Sequence, residues 1–228
     1  MLIVLEGLDG AGKSTQVKML KEYLETRSRE FSYIHFPRYD SPVYGGLIGK
    51  FLRGGFGAND MVHPQLVALL FAEDRHGAGP QIRKVLDKGG TVLLDRYVYS
   101  NIAYQCAKLD SDEEAEELRG WIVSTEYGDF NLPRPDVNIF LDVPIGFVEE
   151  SLARNREGDD HREYLQGAQD IHEADIAFQK RVREMYRRQA ALDPCFITVD
   201  CSDESGRMLP PDVIFNKVKA AYESVAKV

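Results

Sequence analysis

The loop Gly7-Leu8-Asp9-Gly10-Ala11-Gly12-Lys13-Ser14 fits G-x-x-x-x-G-K-[ST] at every defined position. In that pattern backbone N–H groups wrap phosphates, the lysine reaches the outer phosphates and the hydroxyl binds Mg2+. Gly7, Gly10 and Gly12 fall where a backbone must approach an anion at a helix N-terminus, with Ala11, Lys13, Ser14 and Thr15 completing the cradle. A plain glycine turn capped by an exposed lysine leaves that placement unexplained. Asp9 is the odd member, because a carboxylate inside a phosphate loop is unfavourable unless it meets a metal, an arginine or a sugar hydroxyl.

A cradle does not name a reaction, since switches, motors and kinases all use one. A guanine-specific switch would carry N-K-x-D, and the nearest match, Asn216-Lys217-Val218-Lys219, lacks the aspartate and reads as helix surface. Arginines next to aromatics occur instead in Phe36-Pro37-Arg38-Tyr39, in Phe71-Ala72-Glu73-Asp74-Arg75 and in Asp95-Arg96-Tyr97. Together they read as a second ligand site. Asp95 ends a strand beside the cradle, where a carboxylate could order a water on Mg2+; the alternative is a salt bridge to its neighbour Arg96.

The elements that carry these groups are short β-rich runs at residues 2–5, 33–36, 91–94, 137–141 and 196–199. Helical spacing lies between them. Residues 16–26 place Val17, Leu20, Tyr23 and Leu24 on one face, and residues 63–86 carry Leu66, Leu69, Leu70, Ile82 and Leu86, with a break expected around 77–80. Such alternation implies parallel pairing with right-handed crossovers, hence a three-layer α/β sandwich around a five-stranded parallel sheet. Ligands then belong at the strand ends after Leu5 and Leu94.

With 228 residues, 43% of them hydrophobic, the chain fits a single domain, 1–228. The net charge of -9 argues against a nucleic-acid coat, so any phosphate ligand is held locally. Cys106, Cys195 and Cys201 lack metal-ligand spacing and read as packing thiols in a reducing compartment. No window approaches the ~18 apolar residues of a membrane span, and a cytoplasmic protein is expected.

The stretches GLDGAGKST, FPRY, LLFAEDR and DRYVYSNIAYQCAK, followed by LPRPDVNIFLDVP, resemble the thymidylate kinase family in order and spacing. The similarity runs in register from about Leu2 to Leu152 and is patchier beyond. It implies a homodimeric, doubly wound enzyme of the nucleoside-monophosphate kinase type, moving the γ-phosphoryl group of Mg-ATP to dTMP in dTTP synthesis. ATP would lie on Gly7, Asp9, Gly10, Ala11, Gly12, Lys13, Ser14 and Thr15, with Ser14, Asp9 and Asp95 near Mg2+. Lys13 would neutralise the outer phosphates. Arg38 and Arg96 would grip the acceptor phosphate, because a guanidinium presents paired donors and stays charged, with Tyr39 adding a hydroxyl beside Phe36. Phe71 would stack on the base while Arg75, one turn on, donates to a thymine carbonyl. On periodicity alone Phe71 is core. Ser100, Asn101 and Gln105 bring polar side chains to the base edge, and Tyr104 packs on the sugar, favouring deoxyribose.

A phosphate monoester with second pKa near ~6 is mostly dianionic at neutral pH, so the attacking oxygen needs no general base. Catalysis should come from positioning and charge cancellation. Some family members carry an arginine at the position of Gly10, and this chain has none there. Charge is expected instead from Arg154, Arg156 and Arg162, in a polar lid at about 154–171. They could otherwise pair with Glu157, Asp159 and Asp160 on a solvated loop. Residues 163–171 look longer than the family's lid, and 203–211 look extended near the expected adenine contact. A deoxynucleoside kinase would need a carboxylate base, for which Glu6 is available, and a nucleotide-dependent switch would need no second site.

Overall fold

The computed structural model describes residues 1–28, 30–154, 164–167, 170–173 and 175–226. Five strands, β1 (Leu2–Gly7), β2 (Phe31–His35), β3 (Thr91–Asp95), β4 (Val137–Asp142) and β5 (Phe196–Asp200), form one parallel sheet in the order β2-β3-β1-β4-β5. The three central strands are buried at every residue, as continuous apolar runs require when helices cover both faces. The helices are α1 (Lys13–Glu25), α2 (Tyr44–Leu52), α3 (Pro64–Leu86), α4 (Val98–Cys106), α5 (Asp112–Val123), α6 (Ile145–Ala153), α7 (Ile176–Leu192) and α8 (Pro211–Val225). The packing partners α1 and α8 cover one side of the sheet, and α3, α4 and α7 cover the other. The doubly wound sandwich is therefore present, with all five expected strands.

The register pairs Leu5 of β1 with Asp95 of β3 on one side and with Ile139 of β4 on the other. Connections leave β1 and β3 in opposite directions, so the crevice beyond their carboxyl ends is the switch point where such sheets bind ligands. The cradle, Asp95 and Arg96 all lie there.

One expectation about α3 is corrected. No break occurs near Pro80, and the helix runs unbroken through all 23 residues. The flanking glycines answer to packing: a Cβ at Gly77 would come within 3.0 Å of Arg38 Nη2, and one at Gly79 would crowd Arg83 and Leu132. Leu66 and Leu69 are exposed, while Val67, Ala68, Ala72, Ala78 and Ile82 turn inward with Asp74 and Arg75. Small residues let the helix lie close to its neighbours, and Leu66 and Leu69 are left outside while Leu70 and Leu86 pack partly buried against the core. Cys106 and Cys201 are buried as expected, but Cys195, at the turn before β5, is exposed. Among the described residues no helix is long and apolar enough to cross a membrane.

Candidate active site

The cradle grows from β1 into α1 through two left-handed glycines, Gly10 at φ 75° and Gly12 at φ 73°, the latter at the N-cap position. A side chain is strained at such angles, so the turn demands glycine. The first turn of α1 has neither a side-chain cap nor an acidic residue, leaving its N–H groups for an anion. Ser14 and Thr15 are exposed at this end. Lys13 Nζ donates to the carbonyl of Leu8 at 2.9 Å. Burial, reinforced by the Arg96 charge, lowers its ammonium to about 8.

Arg96 holds the site together. Its φ of 67° is unusual for a non-glycine residue and is stabilised by its N–H donating to Leu5 O at 2.9 Å. The guanidinium donates to Gly7 O at 2.9 Å, Ser100 Oγ at 3.2 Å and Asp9 Oδ1 at 2.6 Å. Asp9 also accepts from the Tyr104 hydroxyl at 2.7 Å and Gln179 Nε2 at 3.2 Å. Burial works to raise the Asp9 carboxyl, but Arg96, Lys13 and Tyr104 hold it well below the usual range. The loop carboxylate has thus met an arginine, one of the three partners its position demanded. Beneath this pair the buried Glu6 accepts from Ser100 Oγ at 2.5 Å, Tyr186 OH at 2.9 Å and Tyr97 N at 2.9 Å. Its oxygens are taken up by the frame of the site, which leaves no room for an entering hydroxyl.

Asp95 does not pair with Arg96 by hydrogen bond. Its Oδ2 lies 3.2 Å from His35 Nδ1, and despite burial His35, Lys13 and Arg96 hold the carboxyl at about 2. Arg38 donates through Nε to Asp74 Oδ1 at 3.0 Å and through Nη2 to Asp74 O at 2.5 Å. A buried Asp74 needs a cation, and Arg38 supplies it, so its side chain is off the cavity wall in this conformer.

A pocket open to solvent on one side lies beside Arg96. Phe36, Tyr39 and Phe71 supply aromatic wall, and Arg75, Ser100, Asn101 and Gln105 supply polar wall. Asp9, Arg96 and Tyr104 close the end nearest the cradle. Ten of the eleven residues expected around the acceptor therefore share one cavity, Arg38 being the exception. Arg154, at the end of α6, is exposed and 3.4 Å from Glu150. Arg156 and Arg162 lie outside the described residues, as do Glu157, Asp159 and Asp160.

Sequence reasoning missed a further wall. Tyr164 stacks on Tyr39 with centroids 3.8 Å apart, and its hydroxyl donates to Asp170 at 2.5 Å. Ile171 N–H donates to Leu52 O at 3.0 Å, docking this stretch on α2. Asp170 is pushed up to about 7 by burial and the nearby Asp9 charge, while burial and Lys108 push the His172 imidazole well below its ordinary range. No motif marks these residues, and only their position after the arginine-rich stretch hinted at them. The donors that could hold a divalent cation are hard oxygens, from Ser14, Asp9 and Asp95, and they suit Mg2+. Among the described residues no cluster of three or more acidic, histidine or cysteine side chains forms a metal cage, and Mg2+ usually keeps waters and borrows phosphate oxygens instead.

The family model described as thymidylate kinase matches residues 5–208. The thymidylate kinase of Mycobacterium tuberculosis H37Rv is 33% identical over 220 residues, covering 93% of this chain and 99% of the relative. A probable thymidylate kinase of Thermococcus kodakarensis is 35% identical over 230 residues, covering 99% and 98%. Among solved structures, the thymidylate kinase of Candida albicans superposes with a TM-score of 0.71 at 30% identity, covering 98% of this chain and 91% of that one.

Proposed function

The chain belongs to the thymidylate kinase family, and we infer from that premise that it transfers the γ-phosphoryl group of ATP to dTMP, giving dTDP and ADP. The observation that carries the reading is the bond of 2.6 Å between Asp9 and Arg96, which joins a phosphate cradle to a pocket walled by aromatic and polar side chains. ATP occupies the cradle, with N–H groups of the loop and Lys13 on its phosphates. Lys13 leaves the Leu8 carbonyl to meet them, and phosphate charge restores its ammonium. dTMP lies in the cavity with its base between Phe71 and the Arg75–Asn101 wall, its sugar against Tyr104 and its phosphate beside Arg96. Arg38 swings from Asp74 to the same phosphate. The acceptor attacks as a dianion, so the site clamps and neutralises.

Ser14, with Asp95 and Asp9, would hold Mg2+ close to the phosphates, where the ion supplies further charge cancellation when bound. Residues 1–228 act as one catalytic domain with a lid at about 154–171, and lid arginines meet the transferring group. Replacing Arg154, Arg156 and Arg162 in turn by Ala should lower kcat at one position at least roughly tenfold; three variants of wild-type turnover contradict the lid. We read the protein as a cytoplasmic homodimer. The exposed Leu47 of α2 and Leu66 and Leu69 of α3, on two helices that pack together, support a second copy as their cover.

The test is ADP release measured side by side with dTMP, thymidine and no acceptor. Turnover that depends on dTMP alone supports the reading, and thymidine-dependent or acceptor-independent turnover overturns it.

A further inference from the structure

Glu126 lies where α5 gives way to a six-residue π-helical turn, Ser124–Asp129, which buries Thr125, Glu126 and Tyr127. Its side chain is fully shielded from solvent, and a carboxylate so placed must be paired. Oε2 accepts from Arg75 Nε at 2.5 Å, while Oε1 accepts from Arg75 Nη2 at 2.7 Å and from Asn101 Nδ2 at 2.9 Å.

This one carboxylate sets two polarities. Arg75 commits its Nε–Nη2 edge to Glu126, so the Nη1 edge is what remains for a ligand. Asn101 Nδ2 also donates to Ala68 O at 2.9 Å. Two acceptors at one end of the amide fix that end as NH2, so the other end is the carbonyl. That Oδ1 is buried and has no hydrogen-bond partner among the described residues. Arg75 and Asn101 both line the cavity. A fixed donor beside a fixed acceptor matches a pyrimidine with a carbonyl at C4 and N–H at N3. It opposes one with an amino group at C4 and a bare N3, since each group would meet its like.

We propose that Glu126 determines the base specificity of this site without touching the base, by orienting Arg75 as donor and Asn101 as acceptor, and so selects 4-keto over 4-amino pyrimidine monophosphates. The proposal rests on the cavity being the dTMP site. Glu126 is a positioning residue, and a purely structural role would change stability while leaving the choice of base alone.

The test is Glu126→Gln, assayed with dTMP, dCMP and N3-methyl-dTMP, and with ATP varied. A glutamine brings its own NH2 against either Arg75 or Asn101, so one of the two loses its acceptor, and the Asn101 amide is left to Ala68 O alone or the Arg75 guanidinium loses its paired anchor. KM for dTMP should rise roughly tenfold, KM for ATP should stay the same, and the ratio of kcat/KM for dCMP to that for dTMP should rise. The penalty that the wild type imposes on N3-methyl-dTMP should shrink. A folded variant with wild-type ratios overturns the proposal. If Glu126→Gln does not fold, Glu126→Asp takes its place, because the shorter carboxylate keeps the charge and cannot span both partners; unchanged ratios there overturn the proposal equally. Failure of the wild type to turn over dTMP would sink the reading of the cavity itself, an outcome separate from wild-type dTMP turnover with unaltered selectivity in the variants.

Discussion

The acceptor cavity and the phosphate cradle meet at Asp9, yet they are built on opposite plans. On the cavity side the arginines are paired before any ligand arrives: Arg96 with Asp9 and Arg75 with Glu126 on the wall, and Arg38 with Asp74 behind it. On the cradle side Lys13 rests on a carbonyl of its own loop and Ser14 and Thr15 face solvent, while Arg154, from the expected lid, lies exposed 3.4 Å from an exposed Glu150. Buried ions need partners before the ligand arrives, because desolvation without one costs several kcal/mol. Exposed ones such as Arg154 do not, and Lys13, which burial lowers to about 8, has only a carbonyl hydrogen bond before a phosphate restores its charge. The cavity is therefore shaped in advance for its occupant, whereas the cradle relies on the charge its ligand brings.

Substitutions can break this contrast or sharpen it. The largest effect is expected for Lys13→Ala, which should lower kcat by roughly 10³-fold while dTMP binding stays near wild type; a matching loss of dTMP affinity would show that the two sides are not separate. Arg96→Ala should do the reverse in kind. It removes the partner of Asp9 and a phosphate clamp, so kcat/KM for dTMP should fall by about 10²-fold, with KM for ATP much less affected. Phe71→Ala should raise KM for dTMP by roughly tenfold through lost stacking, with kcat nearly unchanged.

The smallest expected effect is in pH dependence. Asp170 is raised from 3.8 to about 7, so between those values the folded chain binds a proton that the unfolded chain has lost. Its contribution to stability is complete below 3.8 and is lost as pH rises to about 7. Asp95, held at about 2, works in the other direction, and its contribution is lost only as pH falls from 3.8 toward that value. Asp170→Asn should flatten the fall of Tm across the upper window; a slope that survives the substitution contradicts the assignment.

Much of this was legible in the residues. The cradle is written locally, since a short loop contains all the groups it needs. The five strands could be read because buried parallel strands are apolar throughout. Phe71 and Arg75 share a helix face by simple periodicity. What could not be read was what crosses between elements. Asp74 and Glu126 look like surface acids in a linear chain, and only the fold shows that both are buried and that each pairs with an arginine. The break expected in α3 does not occur because Gly77 and Gly79 are close-contact positions within a continuous helix. Leu66 and Leu69 have helical spacing yet lie exposed, because periodicity groups residues along a helix without showing whether the same chain covers them. Tyr164, Asp170 and His172 reach the cavity from a stretch whose composition suggested only a polar lid.

The contrast between a preformed acceptor cavity and a ligand-dependent cradle is tested most directly by calorimetric titration of dTMP in the absence of ATP and Mg2+. Saturable binding at one site per chain, weakened strongly by Arg96→Ala and little by Lys13→Ala, is the predicted result. Binding of dTMP that is undetectable until an ATP analogue is added would contradict it.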